Sequence, residues 1–242
     1  MKLPRSLCRP LQVGLLASLV ALAPCGTDPS RAGFVPIFDG ETLEDWRSDP
    51  ATLADSWSVL DGAIQGVGLE DRQAYLVYAG DESLGDFELK LSYRMLTDGN
   101  TGIELRARPD STGKRPFEGY HADLGHVGIG PQILGAWDFH FATRKEFPCN
   151  RGIRLIIDGR GEAVSEPLGR HLRIDDIAVR DWNRCHIVAR GDHLRFFINS
   201  ILSAEFVDRF DDGRFATGLV ALQLHEKDTV VQFKDIALKR LR

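Results

Sequence analysis

The chain has 242 residues, and its 30 basic and 35 acidic side chains are interleaved and leave a formal charge of −5. That balance offers no basic stripe for a phosphate backbone and argues against nucleic acid as a partner. A length of this order suits one large all-β domain.

The N-terminus comes first. Lys2, Arg5 and Arg9 precede an apolar run over 11–23, after which small and polar residues take over. The run is too short to span a bilayer as a mature helix, so 1–32 reads as a secretory signal with a short linker and 33–242 as the folded domain. Leu22-Ala23-Pro24-Cys25-Gly26 resembles a bacterial lipobox, which would make Cys25 a lipidated first residue. Ordinary cleavage between 23 and 32 is the alternative. Either route exports the protein to the periplasm, the cell envelope or the exterior, with membrane contact only through an anchor on Cys25. Of the four cysteines, Cys149 and Cys185 then remain in the domain. An oxidising compartment makes a disulfide between them the expectation, with two separately buried thiols as the alternative. No CxxC or Cys/His cluster suggests a structural zinc.

From Phe34 onward the dominant period is two, the mark of strands with one buried face. Strands are expected at 57–60 and 63–67 around the Asp61-Gly62 turn, and at 74–78. Over 87–95 every odd position is apolar and every even one polar, and 103–108 alternates likewise, with a turn cluster over 97–102 between them. This pattern predicts a hairpin in which Arg94 opposes Glu104 and Ser92 opposes Arg106, so that Glu104, Arg106 and Arg94 share the face away from the core. A glycine-rich loop is expected over 119–135, carrying His121, Asp123, His126 and Gln132. Further strands fall at 153–157, 185–190, 194–198, 218–224 and 230–238, and 159–176 reads as a polar excursion. Arg190-Gly191-Asp192 is turn chemistry and not an adhesion signal. The strand over 218–224 ends in Gln223 and His225, which alternation places on one face. Many short strands and no sustained helical period predict an all-β fold, a two-sheet sandwich.

Phe38-Asp39-Gly40 with Leu43, Trp46, Trp57 and Asp61-Gly62 resembles the opening pattern of the DUF1080 family, the 3-keto-disaccharide hydrolase domain. Gly85-Asp86-Phe87-Glu88-Leu89, Gly99-Asn100-Thr101-Gly102-Ile103 with Arg106, and Gly119-Tyr120-His121-Ala122-Asp123-Leu124-Gly125 are similar to later motifs of that family. Asp181-Trp182-Asn183, Ile198-Asn199 and the segment with Gln223 and His225 follow in the family's order, so the resemblance runs from Phe34 to Arg242. It implies a concanavalin A-like jelly roll and chemistry on 3-keto-glycosides. His121 stands where Gln or Glu is usual, and Trp137-Asp138-Phe139-His140 with Arg144 only loosely echoes an aromatic-acidic-Arg stretch.

A ketone at C3 acidifies the C2 proton, so a base can remove it and the enolate can expel the glycosidic oxygen from C1. Such a site needs a base, a donor or cation for the enolate oxygen, and ligands for hydroxyls. Asp123, His225 and Glu104 are the candidate catalytic residues, and together they could ligate a divalent metal ion. Arg106, Asn100, Tyr120, His121, Gln223 and Trp137 are candidates for binding the sugar, with Tyr120 and Trp137 as stacking surfaces. The plainer alternatives are an ion pair of Glu104 and Arg106 with Arg94 or Arg108, a loop-stabilising Asp123, and core aromatics. The expected partner is a small carbohydrate. The expected activity is elimination or hydrolysis of 3-keto-glycosides, with a non-catalytic lectin-like module or a structural envelope lipoprotein as alternatives.

Overall fold

The computed structural model describes residues 32–125 and 133–242. The signal and lipobox readings at Cys25, and His126 and Gln132, lie outside the described residues. In chain order the strands are β1 (Val35–Pro36), β2 (Trp46–Asp49), β3 (Trp57–Leu60), β4 (Ala63–Val67), β5 (Ala74–Tyr78), β6 (Phe87–Met95), β7 (Gly102–Pro109) and β8 (Phe117–Asp123). They continue with β9 (Trp137–His140), β10 (Ile153–Ile157), β11 (Ala163–Pro167), β12 (Asn183–Arg190), β13 (His193–Ile198), β14 (Ile201–Asp208), β15 (Leu219–Leu224) and β16 (Val230–Arg240).

Two sheets form. The ten-stranded sheet runs β11-β10-β14-β13-β12-β6-β16-β4-β3, with β1 also on β16, and the six-stranded sheet runs β2-β5-β15-β7-β8-β9. One core lies between them: Leu89, Leu91 and Tyr93 of β6, Ile187 of β12 and Phe196 of β13 meet Ile103, Leu105, Tyr120, Trp137, Phe139 and Leu222 of the small sheet. Period-two alternation then decides what the small sheet shows on its other side. Tyr75, Val77, Ala107, Phe117, Leu219 and Ala221 form a separate apolar cluster there. Glu104, His121 and Asp123 alternate with inward Ile103, Leu105, Tyr120 and Ala122 and so fall on the same outward face.

Several expectations are corrected. β6 and β7 do not form a hairpin: β6 pairs with β12 and β16, whereas β7 pairs with β15 and β8. The turn cluster between them carries the chain from one sheet to the other, so Arg94 does not oppose Glu104; it faces Gln232 of β16. Period two reports which face is buried and is silent on which strand is the neighbour. The segment expected as a glycine-rich loop opens as β8, whose seven residues are all buried. The polar excursion over 159–176 contains the edge strand β11. Cys149 and Cys185 are both free and buried, not disulfide-bonded. Cys149 Sγ lies 3.5 Å from the Glu205 carbonyl, while Cys185 is an inward residue of β12. Burial pushes the Cys149 thiol up to about 12 and raises that of Cys185 as well, which keeps both unreactive.

Candidate active site

Three neighbouring strands of the small sheet deliver the chemistry. Glu104 of β7 stands opposite His121 of β8, and His121 stands opposite Asp138 of β9. One carboxylate oxygen, Glu104 Oε1, takes hydrogen bonds from both His121 Nδ1 at 3.1 Å and His140 Nδ1 at 2.6 Å. The two imidazoles lie nearly parallel, with ring centroids 4.8 Å apart. Each ring turns its other nitrogen to a second carboxylate: His121 Nε2 is 3.6 Å from Asp123 Oδ1, and His140 Nε2 is 3.4 Å from Asp138 Oδ2. The result is two Asp–His pairs converging on one glutamate.

Glu104 is fully buried, and its second oxygen, Oε2, has no hydrogen-bond partner. Burial alone would raise its pKa, but the charges of His140 and His121 and their hydrogen bonds hold it at about 2. Burial alone would depress His121, and the Glu104 charge with hydrogen bonds to Asp123 and Glu104 raises it to about 10. His140 rises to about 9 by the same competition, through Glu104 and Asp138. Asp138 is held far below the usual carboxylate range: partial desolvation of its half-exposed carboxylate opposes this, and the hydrogen bond and charge of His140 overcome it.

This donor set fits a divalent cation. Glu104, His121 and His140 can each turn one ligand atom inward, all within 4.8 Å of one another. Carboxylate and imidazole suit first-row divalent ions, and metal-bound histidines characteristically donate their second N–H to a carboxylate, the place Asp123 and Asp138 occupy here. The unpartnered Glu104 Oε2 is a further acceptor that such an ion would satisfy. Loading would displace the imidazole protons.

The cluster reaches a cleft of about 340 Å³ lined by Gln73, Lys114, Arg115, Pro116, Asp138, His140 and Glu146. Arg115 pairs with Glu146 at 3.1 Å, and Lys114 Nζ donates to the Ala142 carbonyl. On the other flank of Glu104, Gln223 Nε2 donates to the Tyr75 hydroxyl at 3.2 Å, and that hydroxyl donates to Gln73 Oε1 at 2.9 Å. Gly102 makes room for the histidine: a Cβ there would collide with His121 Nε2.

Of the candidates read from sequence, Glu104, His121 and Asp123 come together, and Gln223 sits beside them. Asn100 is buried on the approach to β7, with its Oδ1 unpartnered. His225 lies just past the end of β15, outside the alternation that would align it with Gln223, and its Nδ1 meets neighbouring Glu226 at 3.1 Å. It is not in the metal-ligating group, where His140 stands instead. Arg106 leaves the site altogether. A bulge sets Arg106 and Ala107 against the single residue Gly119, with Arg106 at φ 47°. Its guanidinium then binds the carbonyls of Gly85, Gly191 and Phe215 and the Asp86 carboxylate, and its side chain is fully buried, out of reach of a sugar. Tyr120 and Trp137 are core residues: Tyr120 donates to Asp208 at 2.6 Å, and Trp137 Nε1 donates to the Ala204 carbonyl. Sequence reasoning missed His140 and Asp138. The signal was present in β9, where Trp137 and Phe139 alternate with Asp138 and His140.

The model of the 3-keto-alpha-glucoside-1,2-lyase-like domain family matches residues 33–239. No curated protein matches the chain. Among solved structures the chain is similar to a candidate glycosyl hydrolase from Parabacteroides distasonis ATCC 8503, at 18% identity and a TM-score of 0.56, over 88% of this chain and 96% of that one. It is also similar to carbohydrate-binding module CBM66 from Bacillus subtilis, at 14% identity and a TM-score of 0.52, over 81% and 95% of the two chains. A third likeness, at 12% identity and a TM-score of 0.50 over 82% and 90%, is to a Bacillus subtilis protein of unknown function with a galectin-like fold. At such identities these likenesses show the fold, and they bear out the lectin-like jelly roll expected from the sequence.

Proposed function

Because the chain belongs to the 3-keto-alpha-glucoside-1,2-lyase-like domain family, we propose that its carbohydrate-related function is the cleavage of 3-keto-glycosides by elimination across C1 and C2. The observation that carries this reading is the convergence of His121 and His140 on Glu104 at the edge of a polar cleft. An ordinary glycosidase works with two carboxyls placed across the scissile bond. Here the buried carboxylate is enclosed by imidazoles, which suits stabilising an enolate better than protonating a glycosidic oxygen directly.

Glu104, His121 and His140 would hold a divalent cation, with Asp123 and Asp138 fixing the rings from behind. Bound there, such an ion supplies a Lewis acid for an oxygen that gains negative charge. The chain's own residues do the rest. Asp138 stands in the cleft with its side chain 57% exposed, so its carboxylate would take the C2 proton once His140 has given up the proton whose charge holds Asp138 weakly basic. The C2–H electron pair forms the C1–C2 double bond as the C1–O bond breaks. The leaving oxygen recovers the proton, giving an unsaturated 3-keto sugar and a free alcohol. Water adding across the new double bond would complete a hydrolysis. Lys114, Arg115 and Gln73 offer hydrogen bonds to the substrate's hydroxyls from the cleft wall. The same proposal puts this activity outside the cytoplasm, supported by the basic and apolar leader read in residues 1–32.

The test is to incubate the protein with a methyl 3-keto-glucoside and with the unoxidised glucoside, each with and without a chelator, and follow methanol release. We expect turnover of the keto sugar alone, lost with chelator and restored by a divalent first-row ion. Binding of the keto sugar without release under any metal condition would instead make the chain a lectin-like module.

A further inference from the structure

Charges that are interleaved along the chain are sorted by strand pairing on the large sheet. On β6, β12, β13 and β16, alternation sends Leu89, Leu91, Ile187, Phe196 and Phe233 into the core and turns Lys90, Arg94, Arg184, Arg195, Lys234 and Lys239 to the outer face. None of these six cations is buried. Two carboxylates stand among them: Glu88, held by His186 at 2.8 Å and Lys239 at 3.1 Å, and Asp235 at the bulge of β16, which accepts a hydrogen bond from Ser92. Arg94, Arg184, Arg195 and Lys234 enter no ion pair among the described residues. On a chain of formal charge −5 this face is therefore a local excess of positive charge.

The cations are close enough to act together. Arg184 and Lys234 stand opposite Ser92 from its two sides, two strand spacings or about 10 Å apart, which is near one Debye length in physiological salt. Arg94, two residues along from Ser92, lies 4.6 Å from the centroid of the Trp182 ring, and Lys234 Nζ lies 4.2 Å from the same ring. Arg94 also donates to Gln232 Oε1 at 2.7 Å. Neutral groups hold both cations, so their charge remains for a ligand arriving from solvent.

The domain also begins at this face. The Phe34 ring packs against Lys90 Nζ at 4.4 Å, Lys239 Nζ at 5.6 Å and the His186 ring. Cys25, read from the sequence as a lipidated residue, precedes Phe34 by a stretch of chain that can span at most ~32 Å. A lipid anchor at Cys25 would keep this face near the bilayer.

We propose that the outer face of the large sheet docks on an anionic lipid surface, with Lys90, Arg94, Arg184, Arg195 and Lys234 toward the headgroups. The small sheet is the other layer of the sandwich, so docking leaves Glu104 and its cleft facing away from the lipid and open to a soluble sugar. The inference goes beyond the elimination reading and does not depend on it. An acidic polysaccharide carries charge of the same sign, and the entry of the chain at this face is what favours the bilayer.

The experiment is co-sedimentation of the full chain with vesicles of phosphatidylcholine alone and of phosphatidylcholine mixed with phosphatidylglycerol, at low and high salt. All variants keep residues 1–32, so differences between them report the face and not the leader. Each Lys or Arg near an anionic leaflet strengthens partitioning roughly fivefold. The wild type should favour the anionic vesicles by at least ~10-fold at low salt and lose that preference at high salt. Changing Arg94→Gln, Arg184→Gln and Lys234→Gln together should lower the preference at least ~10-fold. The pair Arg184→Gln and Arg195→Gln leaves the Trp182 cluster intact and should lower it at least ~5-fold, which keeps the test open if the triple variant does not fold. Arg160→Gln, Arg170→Gln and Arg173→Gln, in the exposed loops flanking β11, remove the same charge elsewhere and should leave it within about twofold. No preference in the wild type, a preference that survives in a folded face variant, or an equal loss in the loop variant would overturn the docking face. Tighter capture by alginate than by the anionic vesicles would overturn it too and assign the face to an acidic polysaccharide. Neither result bears on the elimination reading, whose test is methanol release.

Discussion

At the scale of single residues, burial and partner count separate the groups proposed to do chemistry from those that hold the fold. Glu104 and Arg106 are two positions apart on one strand and both fully buried, yet one keeps an unpartnered oxygen and the other spends its guanidinium on three carbonyls and a carboxylate. Glu104→Gln should lower kcat on a 3-keto-glucoside by at least ~100-fold and reduce bound metal measured by atomic emission. Arg106→Met should act on stability instead. It strands buried carbonyls and should cost about 3 kcal/mol in urea unfolding, with KM of the folded fraction unchanged. The sequence made Glu104, His121 and Asp123 legible because each sits in an ordered motif. It hid His140 and Asp138, whose stretch only loosely echoes the family pattern, and it could not show the bulge that turns Arg106 away, since an extra residue leaves no mark in a short alternation.

At the scale of elements, strand positions were readable and strand partners were not. β3, β4, β5, β6 and β10 begin and end where alternation and turn residues place them. The pairing of β6 with β7 failed because a turn cluster looks alike whether the chain folds back within a sheet or crosses to the facing one. Pairing also gathers charge on the large sheet, where Glu205 of β14 meets Arg154 of β10 and His193 of β13. Burial raises the pKa of Glu205, but hydrogen bonds to His193 and Arg154 and the charge of Arg154 leave it lowered. A depressed folded pKa means that the carboxylate stabilises the protein above its unfolded value of 4.5, and that this contribution is lost as pH falls through the folded value. Arg154 and His193 are 46% and 40% exposed, so the contribution is held to ~1 kcal/mol by solvent screening. Thermal melts from pH 7 to pH 3 should show the wild type losing more Tm than Glu205→Gln across the acid limb.

At the scale of the whole molecule, stability comes from one continuous core between two sheets, without a covalent staple among the described residues. Reductant should therefore leave the Tm of the domain unchanged, and a thiol reagent should label Cys149 and Cys185 only after denaturant is added. A fall of several degrees in Tm on reduction would show that a bond between them does contribute. The Asp–His pairs carry a kinetic consequence. Their bonds to Glu104 span 17 and 36 residues of chain, and the Tyr75–Gln223 bond spans 148. Groups so far apart in sequence meet only after slow, non-local strand pairing, and a one-residue slip in β9 would exchange Asp138 and His140 for Trp137 and Phe139. During refolding, metal uptake should consequently rise in step with the last cooperative phase and never ahead of it, making the bound ion a reporter of correct strand register.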